Sequence, residues 1–538
     1  MSILIQNGIL VLPTGPIQAD LRVAGGRIAE LGPGLAPGAS RVIDAQERLV
    51  FPGFIDTHTH FEMNKGFPNE TADDWYTGTR AALAGGTTTV LDFAEPERGA
   101  TLASALETWH GRADGAACCN YGFHMTVKDW SPSIRSELRE MTAAGVTSYK
   151  VYLAYDNLRL SDAAAYEVVK AVGAEGGVVG CHCENGDLVT EGIRAQQAAG
   201  NLSPAAHPLS RPPAVEAEAV GRWLTIAELA GCPVNIVHLS TLRGLEAVRA
   251  ARTRGQRLYV ETCPQYLLLD ERSYRLPGFE SAKFVLSPPL RAQENCAALW
   301  DALEAGEIDT IGTDHCSFRF HGAKELGRED FSKIPNGIPG VEHRPSLMYT
   351  YGVAAGRITA VDMARLLAEN PARLFGMYPQ KGVLAVGSDA DLVIFDPNDT
   401  GRITAETQYQ NVDYTPYEGM ALRGRVDTVL LGGEVAVEGG RALLERRGRY
   451  VSRGPSGFWR CCVLLCSGYG RRFGSNKLLA LLDGVPLYRR AFAALPPALF
   501  TKAVVTSQYG EILAQAGKLG YLPLLNCHPW EGVAAGIR

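Results

Sequence analysis

The stretch Leu49-Val50-Phe51-Pro52-Gly53-Phe54-Ile55-Asp56-Thr57-His58-Thr59-His60 decides the reading of this chain. Leu49 to Ile55 is an apolar run of buried-strand character, and two histidines stand at its C-terminal end. Residues i and i+2 of a strand point to one side, so His58 and His60 present two imidazoles to a single point. A metal site needs that arrangement. Two polar residues leaving a strand would look the same, so the decision rests on what the rest of the chain supplies.

Outward from that stretch the pattern changes on both sides. Residues 1–50 alternate short β-type runs with turns such as Asn7-Gly8 and Gly25-Gly26, which are hairpin signals. From Phe51 to Gly376 short apolar strands alternate with helical segments. The strands are expected at Thr88–Phe93, Tyr121–Val127, Ser148–Leu153, Gly177–Cys183, Val234–Leu239, Leu258–Cys263 and Thr310–Thr313, with one helix at Ala214–Ala230. Together with the first strand these predict a (β/α)8 TIM barrel, an α/β fold, over residues 51–376. Residues 377–450 return to short strands with glycine turns, so 1–50 and 377–450 are expected to build one small β-sandwich domain from both flanks. Residues 445–458 read as a linker, and a truncated α/β, Rossmann-like segment is expected over 459–538.

At 538 residues the chain is too long for one ordinary core. Its 46% apolar and 20% charged content is that of a globular protein. A net charge of -6 gives no basis for nucleic acid or an anionic membrane as partner. No apolar run reaches the roughly 18 residues that span a bilayer. The N-terminus reads as a strand pair rather than a signal peptide. Twelve cysteines without a disulfide-like framework suggest reduced thiols and a cytoplasmic location.

The informative polar residues fall at the C-terminal ends of the expected strands, where barrels carry their active sites. Lys150 ends Val146–Tyr149, a costly place to bury a cation. His182 ends Val178–Cys181, His238 ends Val234–Val237, and Asp314 ends Asp309–Thr313. Any one of them could be a satisfied core group, but all of them in this order point to a metal centre. Cys181 and Cys183 flank His182, yet a strand sends them to the opposite face. His315 should point away from Asp314, His124 reads as a structural histidine, and His110, His207, His321 and His343 have no partner pattern.

Further motifs extend the pattern. They are Ala72-Asp73-Asp74-Trp75 through Gly86-Thr87-Thr88, Ser210-Arg211-Pro212-Pro213, Glu261-Thr262-Cys263-Pro264-Gln265-Tyr266, Ser287-Pro288-Pro289-Leu290-Arg291, and Ile334-Pro335-Asn336-Gly337-Ile338-Pro339-Gly340. With the strand-end residues they resemble the D-hydantoinase/dihydropyrimidinase family of the amidohydrolase superfamily. The resemblance implies hydrolysis of the cyclic amide of hydantoins or dihydropyrimidines to N-carbamoyl amino acids. It implies two divalent ions, zinc foremost with manganese, cobalt or nickel as alternatives. His58, His60 and Asp314 would hold one ion, and His182 and His238 the other. Lys150, N6-carboxylated by CO2, would bridge them as a carbamate. A metal-bridging hydroxide would attack the ring carbonyl, with Asp314 as general acid/base and the Tyr155 hydroxyl steadying the oxyanion. The backbone at Ser287 and Asn336 would hold the ring. A homotetramer is implied as well, and a small cyclic ureide as partner. A dihydroorotase would need a cation near His60, where Phe61-Glu62-Met63 stands, whereas allantoinase stays open as the alternative. Met63, Phe67 and Leu158 are expected in loops gating a hydrophobic 5-substituent. The non-enzymatic relatives of the family lack metal ligands, and here every ligand position is filled.

In the tail, Val463-Leu464-Leu465-Cys466-Ser467-Gly468-Tyr469-Gly470-Arg471-Arg472-Phe473-Gly474-Ser475-Asn476-Lys477 has the form strand, Gly-rich turn, helix start. Such a turn offers N–H groups to phosphates. The run resembles molybdenum-cofactor cytidylyltransferases and related nucleotidyltransferases, with Cys466 and Ser467 in place of small alanines. The chain ends at Arg538, before the family's metal-binding aspartate, so a partial module is expected. A nucleotidyltransferase with a secondary barrel is the competing reading.

Overall fold

A computed structural model describes residues 2–36, 38–443, 445–456, 461–467, 476–495 and 502–527. It divides into two compact units, Met1–Gly457 and Phe458–Arg538. In the first, β1 (Ser2–Leu12), β2 (Gly15–Ala24), β3 (Arg27–Gly32), β4 (Arg41–Asp44) and β5 (Leu49–Pro52) lead the chain. Eight strands follow: β6 (Phe54–Thr59), β7 (Thr87–Ala94), β8 (Asn120–Thr126), β9 (Ser148–Tyr152), β10 (Val178–His182), β11 (Val234–Ile236), β12 (Leu258–Thr262) and β13 (Thr310–Ile311). Then come β14 (Leu392–Arg402), β15 (Ala421–Leu431), β16 (Glu434–Glu438) and β17 (Arg441–Ala442).

Strands β6 to β13 form one parallel sheet in sequential order, each joined to the next through helices. All residues of β6 and β7 are buried, as expected for parallel strands covered on both faces. The helices start where the sequence supplies caps: Asp74 and Thr77 form a capping box, and Ser161, Asn185 and Thr241 each accept a backbone N–H. Between β13 and β6 the barrel is closed by side chains as much as by ladder. The fully buried Arg344 donates from Nη1 to Ile55 O at 2.8 Å and Ile311 O at 2.7 Å, and Thr313 Oγ1 donates to Asp56 Oδ2 at 2.7 Å.

The flanking strands form one nine-stranded sheet, ordered β17-β16-β15-β14-β5-β1-β2-β3 with β4 paired to β1. The two flanks meet where β5 pairs antiparallel with β14, Phe51 opposite Val393. A bridge between Arg27 and Asp389 brings the β3 edge back beside the segment entering β14. The sheet thus folds over its own core, which includes Ile5, Leu10, Leu21, Val50, Leu392 and Leu430.

Two features differ from the sequence reading. Strands β11 and β13 are shorter than expected, because the backbone turns left-handed at His238 (φ 41°) and Asp314 (φ 52°) just past them. The segment read as a linker is instead bound to the barrel. Gly448 N donates to Ala117 O at 2.9 Å, Val451 N to Tyr121 O at 2.7 Å, and Ser456 N to Gly176 O at 2.8 Å. Arg453 is buried there, donating to Ser148 Oγ at 2.6 Å and to the Phe123 carbonyl.

In the second unit, Cys461–Leu465, Lys502–Ser507 and Leu522–Leu525 make a three-stranded parallel sheet. The helices Leu487–Ala494 and Gly510–Lys518 pack Tyr488, Phe492, Ile512 and Ala516 into its core with Val505 and Tyr521. The expected glycine-rich turn, at 468–475, lies outside the described residues.

Candidate metal centre and substrate pocket

At the C-terminal ends of the barrel strands lies a cavity of about 350 Å³. Its floor is built from the strand-end residues. His58, near the C-terminal end of β6, sets Nε2 3.3 Å from Asp314 Oδ1 and 3.3 Å from Lys150 Nζ. His60 Nε2 is also 3.3 Å from Asp314 Oδ1, and its ring stacks on Phe93 at 4.8 Å. His182 Nδ1 faces His238 Nε2 at 3.1 Å. His58, His238 and Asp314 each offer a ligand atom, all within 4.8 Å of one another. All six residues named from the sequence are thus brought to one floor. All four imidazoles, Lys150 and Asp314 line the same cavity.

The donor chemistry fits a divalent cation. A carboxylate only accepts, so Glu261 Oε1, 2.7 Å from His58 Nδ1, fixes the proton there and leaves a lone pair on Nε2. Glu184 Oε2, 2.8 Å from His182 Nε2, does the same for His182, whose Nδ1 lone pair then faces His238. Nitrogen donors aimed at each other and at a carboxylate, in a buried site, are the set that zinc and its neighbours bind. Burial disfavours charge on His58, His182 and Lys150 and lowers all three. Lys150 makes no ion pair within 4 Å among the described residues, so its amine is poorly stabilised as a cation.

Above this floor Tyr155 enters from the turn after β9, with φ at 66°. Its hydroxyl is hydrogen-bonded with Ser287 and Arg211. Arg211 Nη1 also donates to Glu184 Oε2 at 3.1 Å, linking Tyr155 and Ser287 to the carboxylate that orients His182. Asn336, Met63 and Leu158 line the cavity, but Phe67 does not and is 68% exposed. The thiols of Cys181 and Cys183 turn to the carbonyls of His182 and Cys181. His315 is buried against Asp73 at 3.1 Å, and His124 against Ser148 Oγ at 2.6 Å.

Sequence reasoning gave no role to Glu261, Glu184 or Arg211. One signal was available: a glutamate closing the apolar strand Leu258–Thr262 must find a partner once buried. Close approach is required as well. A Cβ on Gly312 would stand 2.9 Å from His58 Cβ and 3.0 Å from the Glu261 carboxylate, so only glycine leaves that pair its space.

Comparison with known proteins places this geometry among relatives. Residues 49–436 match the Amidohydrolase family, and residues 462–538 match the MobA-like NTP transferase domain. The chain is 43% identical over 460 residues to the D-hydantoinase of Geobacillus stearothermophilus, covering 85% of this chain and 98% of that protein. It is 40% identical to the D-phenylhydantoinase of Escherichia coli O81 (strain ED1a), covering 85% and 99%. Among solved structures it is similar to the dihydropyrimidinase from Brevibacillus agri NCHU1002, with TM-score 0.83, 41% identity and coverage of 85% and 100%.

Proposed function

This chain belongs to the amidohydrolase family and is a hydrolase of cyclic amides, and from that premise we propose how its residues open a hydantoin or dihydropyrimidine ring. The observation that carries the proposal is the convergence of four imidazoles, Asp314 and Lys150 on the floor of one cavity. His58, His60 and Asp314 would hold one divalent ion, His182 and His238 a second, and a carboxylated Lys150 both. Bound there, two such ions supply Lewis acidity and lower the pKa of a water towards about 7.

The remaining steps fall to the chain itself. For carboxylation, the neutral amine that burial favours at Lys150 forms an N–C bond to CO2 as one C=O π pair moves onto oxygen, and the nitrogen's proton passes to solvent through the open cavity, leaving a carbamate anion suited to hold cations. Asp314 Oδ1 lies 3.3 Å from the Nε2 atoms of both His58 and His60 and faces the centre. It takes the proton of the attacking water and passes it to the departing ring nitrogen, a poor leaving group when unprotonated. The Tyr155 hydroxyl donates to the ring oxygen as negative charge gathers on it. Peptide groups at Ser287 and Asn336 hold the N–H and C=O edge of the ring, and Met63 and Leu158 receive an apolar 5-substituent. The product is an N-carbamoyl amino acid. We assign the enzyme to the cytoplasm as a homotetramer; among the described residues no helix is long and apolar enough to cross a membrane.

The test is to assay zinc- or manganese-loaded protein, with bicarbonate, on dihydrouracil, 5-phenylhydantoin and allantoin, with Lys150→Ala as control. Opening of either of the first two rings, lost in the control, is expected. Turnover of allantoin alone would move the substrate to the neighbouring class, and protein that binds no metal would refute the mechanism.

A further inference from the structure

Lys324 is fully buried, yet among the described residues it has no carboxylate partner within 4 Å. Its Nζ instead donates to three backbone carbonyls, Val285 O, Pro335 O and Gly337 O, each at 2.7 Å. An ammonium has three N–H donors and no acceptor, so all three are satisfied by carbonyls converging from two separate strips of chain. Burial without a counter-ion pulls this group down to about 7, with the neighbouring Cys316 thiol acting in the opposite sense, and the three carbonyls favour the protonated form, the one with a donor for each. A methionine or leucine would fill the same volume without that desolvation cost. What only the lysine provides is the three-way tie.

The two strips it ties are the ones that face the cavity. Val285 lies two residues before Ser287, and Pro335 and Gly337 flank Asn336; Ser287, Pro335, Asn336 and Gly337 all line the pocket. The strips also touch directly, Gly337 N donating to Val285 O at 3.0 Å, so that carbonyl is shared between backbone and lysine. Gly337 has φ 152°, and a Cβ there would come within 2.6 Å of Cys316 Cβ, which anchors its strip against the segment leaving Asp314. The Ser287 strip is held from its other side by His207 Nε2 on Leu286 O at 2.8 Å and by Arg211 on Ser287 Oγ.

We propose that Lys324 is a positioning residue that sets the separation of the Ser287 and Asn336 backbone strips and so the fit of the substrate ring between them. The inference rests on the reading above in which those strips grip the ring edge. Lys324 touches neither the reacting atoms nor the residues of the metal floor. Its loss should therefore weaken ring binding in ground and transition state alike and leave the chemical step largely intact.

The experiment measures kcat and KM on 5-phenylhydantoin for metal-loaded wild type, Lys324→Met and Lys324→Gln, with melting temperature and metal content recorded for each. KM is expected to rise roughly tenfold in Lys324→Met, with kcat within about threefold of wild type and metal content unchanged. Lys324→Gln keeps two N–H donors and should fall between. The 1-methyl and 3-methyl derivatives of the substrate test the premise on the unaltered enzyme. If both bind as tightly as the parent, there is no ring-edge grip and Lys324 has none to set. If either binds weakly while Lys324→Met, or Lys324→Gln where Met does not fold, leaves KM within twofold, the grip stands and the role of Lys324 in it is overturned. Failure of both variants to fold would also overturn it, making the tie a requirement of the fold.

Discussion

Replacing Glu261 by glutamine tests the centre while every residue that lines the cavity keeps its identity. Glu261 is 1% exposed, with Oε1 2.7 Å from His58 Nδ1 and Oε2 2.6 Å from Thr57 Oγ1. Glutamine is nearly isosteric and can keep its oxygen on His58 while its amide group faces a Thr57 hydroxyl turned to accept. Both hydrogen bonds survive in form, but both lose the carboxylate charge. A charge-assisted bond is about twice as strong as a neutral one, so each loses about 1 kcal/mol. His58 feels the change most, because the carboxylate raises the basicity of the nitrogen that faces Asp314 and Lys150. Loss of such an outer partner costs about 10- to 100-fold in metal affinity or activity, or about 1.4–2.8 kcal/mol. The assay is metal content after dialysis, affinity by chelator competition, and kcat at saturating metal, alongside the melting curve. Weaker metal binding by at least tenfold, partly recovered in excess metal and with the fold intact, is the expected result. Affinity and turnover within twofold of wild type would show that the Glu261–His58 pair does not tune the centre.

Three further outcomes follow from the same structure. Tyr155→Phe removes the hydroxyl bonded with Ser287 and Arg211 and should lower kcat by about 10²- to 10³-fold, at a stability cost of about 1–2 kcal/mol for the lost bonds, read from steady-state kinetics and melting. Burial raises the Glu342 carboxyl to about 8, against two backbone N–H donors from Tyr409 and Gln410 that pull it down. The folded state therefore holds a proton that the unfolded state releases above its ordinary value of 4.5, so stability falls as pH rises from about 4.5 to 8. Glu342→Gln should flatten urea-denaturation stability across that window, and an unchanged slope would count against the buried proton. Arg453→Met should cost about 2–4 kcal/mol in the same denaturation experiment, since it leaves the Phe123 carbonyl and Ser148 hydroxyl without their cation under the barrel. A loss below about 0.5 kcal/mol would return residues 445–456 to the status of a linker.

Much of this was legible because two short-range rules carry far. Period-two alternation puts His58 and His60 on one side, and apolar runs ending in Lys150, His182, His238 and Asp314 mark strand ends whose side chains share a barrel mouth. What stayed hidden depends on pairs remote in sequence. Glu261 meets His58 across 203 positions, and Arg453 meets Phe123 across 330, so neither partner is visible from its neighbours. Glycine, arginine and serine around Arg453 suggest a solvated linker, whereas its peptides pair with the loops and strand starts beneath the barrel. The apolarity of Phe67 suggests a place at the gate, but a single exposed apolar loop residue carries no such information. The shortening of β11 and β13 follows from backbone torsion, which an apolar run does not encode.

Tyr155, His238 and Asp314 share one property: each is a non-glycine residue held at positive φ, at 66°, 41° and 52°. A side chain in that region costs about 1–2 kcal/mol, and glycine would relieve it. These positions therefore set thermal robustness and turnover against each other. A library selected only for yield or heat resistance should enrich glycine or asparagine at His238 and Asp314, whereas Tyr155, whose ring packs on His182 and whose hydroxyl bonds with Ser287 and Arg211, should resist it, and the survivors should be well-folded and inactive. Selection for ring opening should hold the same sites fixed at the expense of stability. The opposed outcomes of the two selections would mark the catalytic mouth in any homologous chain without a structure.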